Sequence, residues 1–133
     1  MIELPFPHKS LWPNGRAHWA DKSRETKKHR VWAKMATLAD AARPAAPKRL
    51  VATFYAKPRG PLPDKDNATA ALKAYQDGIA DAYGIDDAGF EQPTVIIGER
   101  CQNGKVVITL EDATTFRAIG DIIKPIIAGI TER

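Results

Sequence analysis

The sequence predicts an α+β fold in which helices pack on one mixed β-sheet, in the order β-α-β-α-β-β-α. Two observations lead to this prediction. Apolar residues recur with helical spacing in three long segments, and short runs rich in β-forming residues lie between them. Proline and glycine punctuate the chain between these segments, so most elements have a defined boundary. The length of 133 residues suits one domain, and we expect a single domain over 1–133.

The first half of the chain predicts a strand, a helix and a second strand. Residues 2–6 suit a short strand that Pro7 ends, and residues 50–56 suit a longer one. Between them, residues 19–42 predict a helix. Its apolar positions follow helical spacing at Val31, Met35, Leu38 and Ala42. We assign its basic residues to the opposite side, namely Arg24, Lys27, Lys28, Arg30 and Lys34.

The second half predicts a helix, two strands and a final helix. The helix covers residues 68–83, with Asn67 or Asp66 as its N-cap and Gly84 at its end. Its buried stripe is expected at Leu72, Tyr75, Ile79 and Tyr83. Asn103-Gly104 predicts a hairpin between strands at 94–100 and 105–111, because a type I′ turn needs positive φ at both positions. Residues 112–133 predict a helical extension, which Pro125 interrupts.

Composition excludes several classes of protein. Hydrophobic residues make up 44% and charged residues 27%, which indicates a soluble globular chain. A single cysteine, Cys101, excludes a disulfide within the chain and fits a reducing compartment. The N-terminus has no basic head followed by an apolar run, and no segment reaches membrane-spanning length. We therefore expect a cytoplasmic protein with no membrane partner.

Charge is unevenly distributed along the chain. Residues 1–60 carry 13 Lys and Arg against 4 Asp and Glu, whereas residues 61–133 carry 7 against 12. A basic half indicates a polyanionic partner, of which nucleic acid is the usual one. A solvated basic face of an ordinary soluble protein explains the same charges equally well.

Two acidic pairs carry the chemical signal. Asp64 and Asp66 stand two residues apart before the second long helix, so in an extended segment both carboxylates point the same way. Asp86 and Asp87 follow that helix, about 30 Å away if it is straight. The two pairs meet only if the chain turns back after Gly84 or if a second subunit supplies one of them.

Clustered carboxylates suit a hard cation, magnesium or its substitute manganese, which can activate water and stabilise charge on a phosphate. Lys73 either holds a phosphate near these carboxylates or pairs with Asp77 one turn later. The alternative is that Asp64-Lys65-Asp66-Asn67 is only a helix cap. The spacings exclude a calcium loop, a zinc site, a P-loop and a serine-histidine-aspartate motif. Trp12 and Trp19 are candidates for stacking on unpaired bases, whereas Trp32 is expected in the core.

In the order and spacing of these motifs, the chain resembles the RusA family of crossover-junction endodeoxyribonucleases, over about residues 2–111. The matching segments are Leu4-Pro5-Phe6-Pro7, Asn14-Gly15-Arg16-Ala17-His18-Trp19, Asp64-Lys65-Asp66-Asn67, Leu72-Lys73-Ala74, Asp77-Gly78, Asp86-Asp87 and the predicted hairpin. The resemblance implies a RusA-like fold and a homodimer that nicks both strands symmetrically at a four-way junction. It also implies that Asp64, Asp66 and Asp87 bind catalytic magnesium, that Asp86 belongs to the same cluster, and that Lys73 is the catalytic lysine.

The sequence as a whole therefore predicts a magnesium-dependent endonuclease that resolves branched DNA in recombination and repair, in a bacterial or phage-infected cell. No small-molecule cofactor is expected. Phosphate contacts, which give affinity without sequence information, are assigned to Arg16, Lys22, Arg24, Lys27, Lys28, Lys57 and Arg59. A catalytically inactive DNA-binding module of the same fold is the first alternative. A protein whose carboxylates only cap helices is the second.

Overall fold

A computed structural model describes residues 1–13 and 18–112, except for the side chain of Asp87. Short 3-10 helices cover Lys9–Leu11 and Asp87–Gly89. The main elements are β1 (Ile2–Leu4), α1 (Trp19–Ala39), β2 (Pro47–Tyr55), α2 (Lys65–Tyr83), β3 (Thr94–Ile97) and β4 (Lys105–Asp112). In these residues no helix combines the length and the apolar content that crossing a membrane requires. The predicted helical extension at 112–133 lies, beyond Asp112, outside the described residues.

The four strands form one mixed sheet in the order β1-β4-β2-β3. β4 is antiparallel to both of its neighbours, and β2 and β3 are parallel. Because α2 connects two parallel strands, it runs from the end of β2 back to the start of β3. The prediction of one mixed sheet with helices packed on it is confirmed. β1 and β3 are shorter than predicted, since they end at Leu4 and Ile97.

The predicted hairpin is wrong, because β2 lies between β3 and β4. Asn103 and Gly104 do have positive φ angles, of 69° and 65°, so the local turn is as expected. β3, however, ends six residues before Asn103, which leaves a connection long enough to cross the end of β2. Cys101 N–H donates to the carbonyl of Ala56 at 2.9 Å along this crossing. Turn residues fix a local bend but do not choose which strands pair.

Both helices cover one face of the sheet. Leu50, Ala52 and Phe54 of β2 are buried, and the alternating residues between them are only half-buried. This period of two is expected of a strand with one face on the core. Leu72, Tyr75 and Ile79 of α2 pack against that face and are fully buried, as the sequence predicted. Tyr83, the fourth member of the predicted stripe, is half-buried.

The predicted apolar face of α1 is wrong. Val31, Met35 and Leu38 are 56%, 60% and 43% exposed, whereas His29, Ala33 and Thr37 form the buried side. The reason is a close contact with Gly78 of α2. A Cβ atom on Gly78 would lie 2.1 Å from the carbonyl oxygen of Arg30 and 2.9 Å from the Cβ of Ala33. Only a face of small side chains allows two helices to approach so closely, and bulky apolar residues are therefore turned outward.

Two buried polar side chains fasten the segment after β1 to the helices. The hydroxyl of Tyr75 donates to the carbonyl of Pro5 at 2.5 Å, and the backbone N–H of His8 donates to Nε2 of His29 at 3.2 Å. Nδ1 of His29 lies 2.7 Å from the carbonyl of Glu25, so this nitrogen is the donor and the ring is neutral. Burial lowers the pKa of His29, which favours the same neutral form. The segment from Pro5 to His8 is thus held in place.

We predict that Gly78→Ala lowers the free energy of unfolding by about 1–3 kcal/mol, because the added methyl overpacks the contact between α1 and α2. Gly89→Ala is the matched control, since a Cβ there has no heavy atom within 4 Å. Urea denaturation of both variants measures the effect. Equal stability of the two variants would contradict the close contact.

Candidate functional site

The first acidic pair lies at the N-terminus of α2. Asp64 is the N-cap, and its carboxylate accepts a hydrogen bond from the N–H of Asn67 at 2.8 Å. The helix therefore begins at Lys65, and the expectation that Asn67 or Asp66 caps it is wrong. Asp64 takes this role because it is the residue with extended backbone angles just before the first helical turn. Asp66 lies exposed in that turn, where the helix dipole favours a negative charge.

The second acidic pair follows the other end of α2. Gly84 ends the helix in the left-handed conformation, with φ of 65°. Asp86 is exposed, and its carboxylate accepts from the N–H of Ala88 at 3.1 Å, which starts the 3-10 helix Asp87–Gly89. The side chain of Asp87 is not among the described atoms. Asp86 thus has a local structural role like that of Asp64.

Helix α2 separates the two acidic pairs along the chain. α2 has 19 residues, so its ends are about 28 Å apart. After Gly84 the chain turns toward the cavity that Asp86 lines with Lys73 and Asp77, and the N–H of Glu91 then donates to the carbonyl of Lys48 near the start of β2. Within residues 1–13 and 18–112, apart from the side chain of Asp87, no group of three histidine, cysteine, aspartate or glutamate side chains is placed to hold a metal ion.

Lys73 lines a cavity together with Asp86 of the second acidic pair. Its ammonium is 3.1 Å from the carboxylate of Asp77, as expected for residues one helical turn apart. Lys73, Asp77 and Asp86 line a polar cavity of about 240 Å³. The structure therefore brings two of the predicted site residues, Lys73 and Asp86, to one cavity.

The lining of this cavity also contains a salt bridge that the sequence did not reveal. Arg30 of α1 donates through Nε and a terminal nitrogen to the two carboxylate oxygens of Asp81, at 2.5 and 2.8 Å. This bidentate contact lowers the pKa of Asp81 and raises that of Arg30. Asp77 and Asp81 follow Lys73 at intervals of four residues, and this spacing is the signal that could have identified them.

The predicted DNA-binding residues fall into two regions, and Arg16 lies outside the described residues. The first region is the exposed side of α1. Lys22 lines a groove with Lys73 and Asp77 that adjoins the polar cavity. Acidic neighbours on the same helix partly balance the charge, since Arg24 is 3.5 Å from Asp21 and Lys28 is 3.4 Å from Glu25. Exposed pairs of this kind contribute little to stability and leave both side chains accessible.

The second region is the loop that leads into α2. Lys57 and Arg59 are exposed there. Arg100 supports the loop, because one terminal nitrogen donates to the carbonyls of Lys57 and Gly60 at 2.7 Å each. The loop ends at Asp64, so these two cations lie toward the first acidic pair, whereas Lys22 lies toward Lys73. Lys57 and Arg59 therefore lie toward the start of α2, and Lys22 lies beside its middle.

Comparisons with other proteins show kinship but no activity. No family model matches the chain. A protein of Xylella fastidiosa (strain Temecula1), described as an uncharacterized protein, is 42% identical over 118 residues, which cover 85% of this chain and 76% of the relative. The chain belongs to the same family as this protein. A match over so much of the chain takes in α2 and the acidic pairs that flank it.

We predict that Asp64→Ala lowers the free energy of unfolding by about 1 kcal/mol, because it leaves the N–H of Asn67 without its cap. Asp66→Ala is the matched comparison and is expected to lose less, since Asp66 contributes only its interaction with the helix dipole. Thermal denaturation at low ionic strength compares the two. A larger loss for Asp66→Ala would show that the capping assignment is wrong.

Proposed function

We propose that this chain is a magnesium-dependent endonuclease of the RusA type, which resolves branched DNA by paired nicks. The observation that supports this proposal is the arrangement around α2. Asp64 and Asp66 stand at its start, Asp86 and Asp87 directly follow its end, and two strands come next. That order, within one mixed sheet, agrees with the order of motifs in the RusA family. A junction resolvase would work in the cytoplasm of a bacterial or phage-infected cell.

The donor chemistry fits magnesium or manganese. All four candidate ligands are aspartates, and hard oxygen donors are the ligands these ions prefer. Asp64, Asp66 and Asp87 would hold the ion, with Asp86 in the same cluster. When bound, it would supply a polarised water and would stabilise the charge that develops on the scissile phosphate. Lys73 is proposed to contact the phosphate, with Asp77 holding its ammonium in position.

We further propose that the site is built between two subunits of a homodimer. One chain presents Asp64 and Asp66 at one end of α2, and a second chain supplies Asp87 from the opposite end of its own helix. An exposed apolar stripe on α1, formed by Val31, Met35 and Leu38, supports a partner surface, since such stripes on soluble proteins mark interfaces. Two sites related by a two-fold axis match the symmetry of a four-way junction.

DNA affinity is assigned to the basic residues of α1 and of the loop before α2. Lys22, Arg24, Lys27 and Lys28 follow the exposed side of α1, and Lys57 and Arg59 precede the first acidic pair. Arg16 belongs to the same proposed set. Such phosphate contacts release counterions, so binding is expected to weaken steeply as salt rises. They recognise the shape of a branched molecule rather than its sequence.

A catalytically inactive DNA-binding module is the second candidate. Two observations favour it: Asp64 and Asp86 each accept a local backbone hydrogen bond, and α2, whose ends are about 28 Å apart, lies between the two acidic pairs. This candidate retains the basic surface and the junction affinity. It differs from the nuclease in having no response to divalent metal.

We predict that the protein nicks a synthetic four-way junction in the presence of magnesium and leaves a linear duplex of the same sequence intact. Asp66→Asn is expected to lower the rate at least a hundredfold, because it removes a charged ligand. Glu99→Gln, at an exposed carboxylate after β3, is the matched control and should cut normally. Denaturing gel electrophoresis of end-labelled strands measures the nicks. Junction binding without cleavage in the presence of magnesium or of manganese would favour the inactive module.

A further inference from the structure

A second cavity, which the proposed metal site does not use, lies between the segment after β1 and the loop before α2. It has a volume of about 430 Å³, which is in the range of small-ligand sites. Its lining combines aromatic, cationic and hydrogen-bonding side chains, of which the principal ones are Phe6, His8, Lys9, Trp12, Lys57 and Asn103.

The walls of this cavity are fixed before any ligand binds. One wall, from Pro5 to Trp12, is fastened by Tyr75 and His29 through the two buried hydrogen bonds described above. The opposite wall, from Lys57 to Pro61, is fastened by Arg100. A ligand that enters therefore does not have to order either segment, which lowers the cost of binding.

The aromatic side chains offer flat faces to a ring. The centroids of Phe6 and Trp12 are 6.2 Å apart, and their planes are inclined by 57°. They are not stacked face to face, so they form two sides of a wedge. Trp12 is half-buried against Leu11, Ala71 and Ala74, which fixes one side of its indole and leaves the other toward the cavity.

The rim of the cavity has the charge of an anion-binding site. Lys9 and Lys57 line it and are both exposed. In the part of the chain that the structure describes, no aspartate or glutamate joins them in the lining. Asn103 adds an amide that can both donate and accept hydrogen bonds. A planar aromatic ring joined to a phosphate matches this combination, because the ring takes the apolar wedge and the phosphate takes the lysines.

The cavity also adjoins the first acidic pair. Pro61, in its lining, precedes Asp64 by three residues, so the two Cα atoms are at most about 11 Å apart. We propose that this cavity binds one unpaired nucleotide of a branched DNA, with its base against Trp12 and Phe6 and its phosphate on Lys57 and Lys9. The proposal rests on the proposed function for the identity of the polymer, and it places the strand beside Asp64 and Asp66.

Tryptophan fluorescence tests this proposal directly. The chain has three tryptophans, so Trp19→Phe combined with Trp32→Phe leaves Trp12 as the single reporter. A short oligothymidylate, added without divalent metal, is expected to quench Trp12, because a stacked base quenches an indole. A fully paired duplex of equal length should quench it much less. Absence of quenching while the oligonucleotide is bound would overturn the proposal.

Affinity measurements keep the test independent of that doubly substituted reporter. By fluorescence anisotropy, Trp12→Ala should weaken oligothymidylate binding about fivefold to a hundredfold, and Trp12→Phe should weaken it less. Lys57→Gln should weaken it and should lower the slope of log affinity against log salt by about one. Lys48→Gln is the matched control, at an exposed lysine outside the cavity.

The outcomes separate this proposal from the proposed function. If wild-type protein does not cut junctions but Trp12→Ala still loses oligothymidylate affinity, the nuclease fails and the nucleotide cavity stands. If wild-type protein cuts junctions while Trp12→Ala, with unchanged circular dichroism, binds and cuts as wild type does, the cavity proposal is overturned and the nuclease stands.

Discussion

The contact between Gly78 of α2 and the backbone of Arg30 in α1 determines how the rest of the molecule is arranged. Because α1 approaches α2 so closely, its buried face consists of His29, Ala33 and Thr37, whereas Val31, Met35 and Leu38 face outward. The same approach lets Arg30 reach Asp81 across the two helices and brings Lys22 beside Lys73. His29, on that buried face, in turn holds the segment that lines the aromatic cavity. The lack of a side chain at Gly78 thus positions both the polar cavity and the aromatic cavity.

α2 has a second consequence, because it fixes the distance between the acidic pairs. It connects two parallel strands, so its start lies near the C-terminal end of β2 and its end lies near the N-terminal end of β3. In the proposed function, a symmetric dimer unites Asp64 and Asp66 of one chain with Asp87 of the other. In such a dimer the nucleotide cavity, the loop cations and Asp64 all belong to the same end of the helix. The site that binds the DNA strand and the site that binds the metal would then lie next to each other at the start of α2.

Much of this arrangement could be predicted from the sequence, and the failures have physical causes. The stripe at Leu72, Tyr75 and Ile79 predicted α2 correctly, since large apolar residues there do pack on the sheet. The face of α1 was wrong because close helix packing selects small residues, which a hydrophobic pattern does not record. The hairpin was wrong because Asn103-Gly104 specifies a turn but not the strand that β4 pairs with. The acidic pairs and the pairing of Lys73 with Asp77 were found from motif and spacing, whereas the partner of Arg30 needed the fold.

The claim that the two ends of α2 belong to one site across two subunits is tested most directly by mixing inactive variants. Asp66→Asn and Asp87→Asn subunits are exchanged and assayed on a four-way junction with magnesium. If the site is shared between two subunits, recovery of about a quarter of wild-type nicking is expected, because random pairing gives half mixed dimers with one intact site each. A doubly substituted subunit mixed with wild type serves as the reverse control and should leave its mixed dimers inactive. The contrary result is no recovery from the single variants, together with activity of the mixed dimers in that control beyond what the wild-type homodimers give. It would show that each site lies within one chain.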